Sequence, residues 1–321
     1  MEMIKQPLGH NITCLDAQYV HPGIASIYLL EQDAKLCIIE TGTAHSVPYI
    51  LAALEAQGRS AEDVEYVIPT HIHLDHAGGA GELMQHCPNA KLVVHPRGAY
   101  HMAHPEKLQA GTMAVYGEET FRQLYGTLTP IAEERIIQAE DNHEIDFHGR
   151  ILRFMDTPGH ALHHFCVLDS LSKGIFTGDT FGLSYRQFDE GGRNFVFATT
   201  TPVHFDPDAL LSSIDKLLAL KPRQMYLTHY CAIQTSQENI AQLKKSVQAF
   251  VEIALAAKNS GENRQRLIEQ QLLEWIVKES YSINNTLSES ERRRIVATDA
   301  RLNAQGLEVW LNRLEPKARG V

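Results

Sequence analysis

The most chemically informative part of the sequence holds four potential metal ligands within six positions. The segment "VIPTHIHLDHAGGAG", residues 67–81, places His71, His73, Asp75 and His76 between a short apolar run and a group of glycines. In an extended chain, residues two apart point the same way, so His71 and His73 can bind one ion. Asp75 and His76 follow where the chain turns into a helix and can face a second ion. A polar surface turn is the simpler alternative.

Three further segments place a metal-binding side chain directly after a predicted strand. They are "DTPGH" with His160, "FTGD" with Asp179 and "YLTH" with His229, and His95 in "VVHP" follows the same pattern less clearly. Ligand sites in α/β sheets collect at strand ends, where loops converge on a rigid sheet. Asp179 is the natural bridge between two cations, since a carboxylate has two oxygens. Asp156 is expected to hold the loop or a ligand imidazole.

The donor types of this set indicate the metal. Five imidazoles, two carboxylates and no thiolate suit Zn or Fe better than Mg or Ca, which prefer oxygen ligands. We therefore expect two divalent ions, with Zn first and with Fe, mixed Fe/Zn or Mn as the alternatives.

The ordered motifs T-H-x-H-x-D-H, G-H, G-D and a late strand-end His resemble the metallo-β-lactamase superfamily from about residue 14 to residue 235. The resemblance implies a four-layer αββα sandwich with the site along one edge. It also implies one metal held by His71, His73 and His160, a second held by Asp75, His76 and His229, and Asp179 as the bridge. Glu40 stands where the family often has Asp, and Thr228 where many members have Gly or Ser.

The elements that must position these ligands follow an α/β pattern. "SIYLLEQDAKLCIIETG" predicts two strands around a turn at residues 32–35, and "VEYVIPT" predicts a buried strand. Asp206 is a predicted N-cap for a helix that begins at Pro207. We predict a metal-binding domain over residues 1–235, with a helical insert at about 97–130 and a long loop at 182–205. Residues 236–321 are predicted to be a C-terminal helical extension of three helices.

The motifs favour hydrolysis. The sequence has no G-x-S-x-G motif and no clear Cys/His nucleophile pair, so a hydroxide bound to a dinuclear metal site is the expected nucleophile. Asp75 would act as ligand and as catalytic residue, orienting the water or accepting its proton. The layout is similar to glyoxalase II, which implies an ester, thioester, lactone or related bond of a small molecule as the target. A basic patch for glutathione has no clear counterpart.

Other functions remain open from the sequence. An iron-dependent oxidoreductase on the same fold, similar to sulfur dioxygenases, is one alternative, and a non-catalytic metal-binding regulatory protein is another. His163 is either a contact of a ligand or of the substrate, or an ordinary core or surface histidine. Tyr185 and Arg186 are either substrate contacts or, most simply, solvated loop residues.

Charge and composition exclude several partners. The net charge of −10 argues against nucleic acid, whose binding requires clustered Lys and Arg, and a nuclease is disfavoured for the same reason. No apolar run approaches the about 20 residues that span a membrane. The N-terminus does not resemble a secretion signal, and the five scattered cysteines do not suggest disulfides, so a cytoplasmic location is expected. Trp310 and Leu311 are candidates for a homodimer interface.

Overall fold

The protein is built on two β-sheets, seen in a computed structural model that describes residues 5–200 and 203–315, apart from the side chains of residues 115 and 116. The first sheet is antiparallel from its first to its fourth strand and parallel from its fourth to its seventh. Its strands, in spatial order, are β1 (Lys5–Gly9), β2 (Ile12–Asp16), β3 (Ser26–Gln32), β4 (Lys35–Ile39), β5 (Val64–Ile68), β6 (Lys91–Val94) and β7 (Ile136–Gln138).

The second sheet contains the later strands, in the order β13-β12-β11-β10-β9-β8. These are β8 (Glu144–Phe147), β9 (Arg150–Asp156), β10 (Phe165–Asp169), β11 (Ile175–Leu183), β12 (Gln224–His229) and β13 (Cys231–Gln234). Tyr28 of β3 joins the two sheets, because its hydroxyl donates to the carbonyl of Leu227 and its ring lies 5.1 Å from that of Phe176. Aromatic packing of this kind fixes one sheet against the other.

The described residues form two compact units. The first contains the described residues of 1–156, 163–178 and 222–234, and the second those of 157–162, 179–221 and 235–321. The division between residues 235 and 236 predicted from the sequence differs from these bounds and stays a prediction.

Among the described residues, six α-helices belong to the first unit. They are α1 (Val47–Glu55), α2 (Leu74–Ala77), α3 (Ala80–His86), α4 (Pro96–Ala103), α5 (Glu106–Tyr116) and α6 (Glu118–Tyr125). Ile50 of α1 and Leu83 of α3 share one buried core with Ile38 and Val67 of the first sheet. Burying each such side chain contributes roughly 1.5–3 kcal/mol, so this packing holds the strand end of β5, and the residues that follow it, in place.

The second unit contains the remaining helices, α7 (Pro207–Ala219), α8 (Gln237–Ala257), α9 (Arg264–Ser280) and α10 (Glu289–Leu314). Asp206 caps α7 as predicted, since its side chain accepts from the amide of Ala209, and Pro207 is the first helical residue. Two sheets flanked by helices, with a helical C-terminal region, confirm the α/β sandwich. Residues 316–321 of the predicted extension lie outside the described part of the chain.

The described helices do not include a membrane-spanning segment. Among residues 5–200 and 203–315, no helix is both long enough and apolar enough to cross a bilayer.

Candidate metal centre

The segment after β5 is bent so that its histidines face one another. His73 has an extended backbone, with φ −64° and ψ 149°, and serves as the N-cap of the short helix α2. His71 Nε2 lies 2.8 Å from His73 Nδ1. Position 79 requires a glycine, because a Cβ there would lie 2.6 Å from the carbonyl oxygen of Thr43. Gly79 therefore lets the backbone of residues 41–43 approach the segment that carries the predicted ligands.

Asp75, His76 and His229 form a compact donor set within the first unit. Each offers one ligand atom, and these atoms all lie within 4.8 Å of one another. His229 Nε2 lies 3.4 Å from Asp75 Oδ2, and His76 Nε2 lies 3.8 Å from the same oxygen. The two imidazoles are buried, whereas the Asp75 side chain is 24% exposed. Asp75 is therefore the member of this set that solvent can reach.

His160 and Asp179 are neighbours within the second unit. His160 Nε2 lies 3.3 Å from Asp179 Oδ2, and both side chains are buried. Helix α7 holds the loop that carries His160, because Ser213 donates to the carbonyl of Pro158 at 2.6 Å and the amide of Asp206 donates to the carbonyl of Gly159 at 2.8 Å. The seven predicted ligands thus fall into five in the first unit and two in the second.

Two of the separations between these donors match metal ligation. With metal–ligand distances of about 2.0–2.1 Å, two ligands of a tetrahedral zinc lie about 3.3 Å apart. A hydrogen bond between a charged imidazole and a carboxylate is shorter, about 2.7–2.9 Å. The 3.4 Å between His229 and Asp75 and the 3.3 Å between His160 and Asp179 match the first value better than the second. The residues present therefore fit a divalent ion of the zinc type.

The buried carboxylate of Glu40 contacts the predicted ligand His76 and two threonines, Thr70 and Thr228. Its Oε1 lies 3.1 Å from His76 Nδ1, and accepts from the Thr70 hydroxyl at 2.6 Å and the Thr228 hydroxyl at 2.9 Å. Its Oε2 accepts from the amide of Thr70 at 3.2 Å. Because an ionised carboxylate only accepts, His76 carries its proton on Nδ1 and presents the lone pair of Nε2.

The hydrogen bonds of Thr70 indicate in the same way which nitrogen of His71 carries the proton. The single hydroxyl proton of Thr70 goes to Glu40, so Thr70 Oγ1 accepts in its 3.2 Å contact with His71 Nδ1. His71 is therefore protonated on Nδ1, and its Nε2 is an acceptor.

His229 is oriented by a backbone carbonyl. Its Nδ1 lies 2.8 Å from the carbonyl oxygen of Ile24, which can only accept. The Nε2 of His229 thus carries a lone pair and is the atom that approaches Asp75. In their neutral forms, three predicted ligands, His71, His76 and His229, therefore each have the lone pair on Nε2, which is the form that binds a metal.

Two further histidines, His163 and His164, lie beside this set. A strand alternation would place His163 and His164 on opposite faces, with at most one near the site. Both precede β10, and both rings pack on His71, with ring centroids at 6.1 Å and 4.8 Å. The irregular backbone before β10 removes the alternation. His164 is fully buried and His163 is partly exposed.

Other residues noted in the sequence have identified contacts. His95 Nε2 lies 3.2 Å from Asp156 Oδ1, so Asp156 contacts an imidazole outside the predicted ligand set. Tyr185 was expected most simply as a solvated loop residue, but it is buried and donates to Asp299 at 2.9 Å. Arg186 is partly exposed and lies 2.9 Å from Asp189.

The roles of Thr70 and Thr228 were not found from the sequence. Both are hydroxyl residues directly before a predicted ligand at a strand end, and both donate to Glu40. Their positions, T-H in each case, are a signal that can be recognised once Glu40 is placed behind the ligands.

Two of the five cysteines, Cys37 and Cys87, lack the features of an activated nucleophile. Burial raises the pKa of Cys87 to about 11, and burial raises the pKa of Cys37 still further. Both are therefore neutral thiols near pH 7, whereas a catalytic cysteine needs a lowered pKa.

The chain is similar in sequence to a known family of proteins. The profile of the Metallo-beta-lactamase superfamily matches residues 20–229. Metallo-beta-lactamase fold-containing protein ST1585 of Sulfurisphaera tokodaii is 28% identical over 240 residues, which cover 72% of this chain and 84% of that protein. The solved structure of ST1585 superposes with a TM-score of 0.62 at 24% identity, covering 93% of this chain and 98% of the other, and shows the shared fold.

Two relatives carry named activities. The atrochrysone carboxyl ACP thioesterase of Aspergillus fumigatus is 24% identical over 216 residues, covering 67% of this chain and 53% of that enzyme. The hydroxyacylglutathione hydrolase of Aeromonas hydrophila is 24% identical over 214 residues, covering 67% of this chain and 63% of that enzyme. In both cases the match spans less than two thirds of the relative, and the similarity is distant.

Proposed function

The chain belongs to the metallo-β-lactamase superfamily, and from this premise we propose that it is a metal-dependent hydrolase. Its substrate is a small molecule with an ester, thioester, lactone or related acyl bond. The activities named for two relatives, a thioesterase and a hydrolase, support this class of reaction. The observation that carries the proposal is the clustering of the Asp75, His76 and His229 donor atoms within 4.8 Å.

The residues proposed to hold the metal ions are those predicted from the sequence. His71, His73, Asp75, His76 and His229 come from the first unit, and His160 and the bridging Asp179 come from the second. Two divalent ions, when bound, supply a water of lowered pKa and positive charge for the oxygen of the substrate. Zinc is the metal we propose, because its ligands are typically imidazoles and carboxylates in this arrangement.

The chain itself prepares the ligands and the proton acceptor. Glu40, Thr70 and the carbonyl of Ile24 face the Nδ1 atoms of three imidazoles and favour the neutral form that has its lone pair on Nε2. Asp75 is partly exposed and its carboxylate can orient the attacking water and accept its proton. The buried positions of His71, His76 and His160 keep bulk water away from the other donors.

The test combines metal analysis with a substrate panel. Freshly purified protein is analysed for Zn, Fe and Mn per chain and assayed on thioester, lactone, β-lactam and phosphodiester substrates. We expect about two metal ions per chain and turnover of an acyl substrate, on the general pattern of two-metal hydrolases. Asp179→Ala should lower the metal content and abolish turnover. Full turnover by that variant, or by metal-stripped protein, would show that the proposal is wrong.

A further inference from the structure

The strand that carries Asp179 is followed by a segment that the C-terminal helices hold by side-chain hydrogen bonds. Residues 184–200 leave the end of β11 and return beside it. Leu183, the last residue of β11, exchanges two backbone hydrogen bonds with Phe197, at 2.8 and 3.1 Å. Whatever fixes Phe197 therefore fixes the end of the strand on which Asp179 lies four residues earlier.

Helix α10 holds this segment at two positions four residues apart. The Asn303 side-chain oxygen accepts from the amide of Thr200 at 2.5 Å, and the Thr200 hydroxyl lies 3.0 Å from both that oxygen and the carbonyl oxygen of Asn303. One turn earlier, Asp299 accepts from the hydroxyl of Tyr185 at 2.9 Å. Residues at this spacing lie on one face of a helix. Thr200 and Asn303 are both essentially inaccessible to solvent.

Helix α8 repeats the arrangement on the residues next to Phe197. Gln242 Oε1 accepts from the amide of Val196 at 3.0 Å, and Ser246 Oγ accepts from the amide of Ala198 at 2.8 Å. These two side chains are again four residues apart. The buried backbone groups on both sides of Phe197 are thus satisfied by side chains of α8, which would be costly to lose.

Residues 184–200 pack so closely on β11 that no side chain larger than that of glycine fits at position 182. A Cβ at Gly182 would lie 2.2 Å from the carbonyl oxygen of Phe197 and 3.0 Å from a methyl group of Leu243 in α8. A strand end packed this tightly transmits a displacement of the segment to its neighbours, because protein interiors do not deform freely.

From these contacts we propose that Asn303 and Ser246 are positioning residues for Asp179. They fix residues 196–200, these residues fix the end of β11, and the strand then holds the Asp179 carboxylate beside His160. Helices α8 and α10 thus support the proposed metal site through Ser246 and Asn303, which act at a distance from the proposed ligands. The inference rests on the proposed function, since it takes Asp179 to be a metal ligand.

The experiment compares Asn303→Ala with Ser280→Ala in the full chain. Ser280 is a suitable control because it is as buried as Asn303 and accepts from Arg292 at 2.8 Å. It belongs to α9, and none of its side-chain hydrogen bonds given for the described residues is with residues 184–200. Both variants lose a buried hydrogen bond, so both should unfold at a lower temperature. The readout is titration of metal-free protein with Co²⁺, followed by its visible absorption at 25 °C, where all variants are folded.

We expect Asn303→Ala to weaken Co²⁺ binding by about tenfold, the lower end of what is lost when a supporting residue of a metal site is removed. Ser280→Ala should bind Co²⁺ as the unchanged protein does. Thr200→Ser, which keeps the hydroxyl, should bind normally, whereas Thr200→Val should weaken binding in the direction of Asn303→Ala.

The possible results distinguish the positioning role of Asn303 from the proposed metal-dependent function. Normal Co²⁺ affinity of Asn303→Ala, with normal binding by the unchanged protein, would overturn the positioning role alone. Equal weakening in Asn303→Ala and Ser280→Ala would also overturn it, since the effect would then follow from stability. If the unchanged protein binds no Co²⁺, the proposed function fails and the inference fails with it.

Discussion

Glu40 Oε1 lies 3.1 Å from Nδ1 of the fully buried His76. This contact favours the form of the imidazole that carries its proton on Nδ1. It also links the segment of residues 71–76 to the end of β4, which Glu40 directly follows. The same carboxylate accepts from Thr70 and Thr228, each of which directly precedes a predicted ligand. One buried acid thus contacts the predicted ligand His76 and also the residues directly before two other predicted ligands, His71 and His229.

The first prediction concerns Glu40→Gln. The four groups around the carboxylate all donate, whereas a glutamine amide has one accepting oxygen and one donating nitrogen. One donor must therefore face the amide nitrogen. We expect metal affinity to fall by about 10–100-fold, measured by titration of metal-free protein with Zn²⁺ against a competing chelator.

The matched control for this change is Glu31→Gln, which removes a partly exposed carboxylate that pairs with Arg59. It should leave Zn²⁺ affinity unchanged. Equal affinities for Glu40→Gln and the unchanged protein would contradict the role assigned to Glu40.

The second prediction concerns Asp75→Asn. The amide keeps one oxygen for the metal but cannot accept a proton from water, so turnover should fall more than metal content. We expect kcat to fall by about 10²–10⁴-fold, the usual contribution of a positioned general base. Steady-state kinetics and metal analysis of the same sample measure both effects. Asp63→Asn, at a turn cap in the same unit, is the control and should keep full turnover. Parallel loss of metal and of activity in Asp75→Asn would argue that Asp75 is only a ligand.

The third prediction concerns removal of the metal. Protein treated with a chelator should lose turnover, and added Zn²⁺ should restore it. An ion that binds only the folded state also raises stability, by about 2.7 kcal/mol at a free concentration of one hundred times Kd. The midpoint of thermal unfolding should therefore rise with Zn²⁺ concentration. A midpoint that does not respond to Zn²⁺, Mn²⁺ or Fe²⁺ would be evidence against a structured metal site.

The residues of the candidate site show what a sequence can predict. His71, His73, Asp75 and His76 were recognisable because they are crowded into one segment, and Asp206 because N-caps have a local chemistry. Tyr185 was not recognised as buried, since its partner Asp299 is 114 residues away. Local patterns predict local structure, whereas a hydrogen bond between distant segments depends on packing that a single sequence does not display.

The N-terminal hairpin gives a second example. Strands β1 and β2 were not predicted, because β1 is mostly exposed and its residues, "KQPLG", show no apolar alternation. The turn between them uses positive φ at His10 and Asn11, 51° and 55°, without the Asn-Gly pair that usually signals such a hairpin. Pairing with β2, and not its own sequence, makes this segment a strand.

The fourth prediction concerns pH and a buried ion pair in the second sheet. Arg150 donates to both oxygens of Asp169, at 2.8 and 2.7 Å, and both side chains are inaccessible. Burial alone would raise the pKa of Asp169, but the hydrogen bonds and charge of Arg150, together with Ser172, hold it below its ordinary value of 3.8. The stabilisation from this pair is therefore complete above pH 3.8 and is lost as the pH falls through the lower folded-state pKa.

Asp169→Asn tests this expectation. The variant leaves a buried arginine without its charged partner, so the free energy of unfolding at pH 7 should fall by about 3–5 kcal/mol. Because the titrating group is gone, the stability of the variant should decline less between pH 6 and pH 3. Urea unfolding across this range measures both effects. The exposed Asp146→Asn is the control, and an identical acid dependence for all three proteins would contradict the assignment.

The fifth prediction concerns Gly178→Ala, directly before Asp179. Gly178 has φ +48°, and a Cβ there would lie 2.5 Å from both His164 Nε2 and Thr70 Oγ1. Gly149 also has positive φ, +82°, but a Cβ there meets nothing within 4 Å. Gly149→Ala should therefore show only backbone strain, about 1–2 kcal/mol, whereas Gly178→Ala should add about 1–3 kcal/mol from overpacking.

The two alanine variants also differ in what they should do to the metal site. To make room for the methyl group, Thr70 has to shift, and Thr70 supports both Glu40 and His71. Gly178→Ala should therefore weaken Zn²⁺ binding by about 10–100-fold, while Gly149→Ala should bind Zn²⁺ normally although it is also destabilised. Urea unfolding and chelator competition on the two variants separate strain from displacement. Equal metal affinities would mean that Thr70 does not transmit the clash, and the proposed chain from Thr70 to the ligands would be wrong.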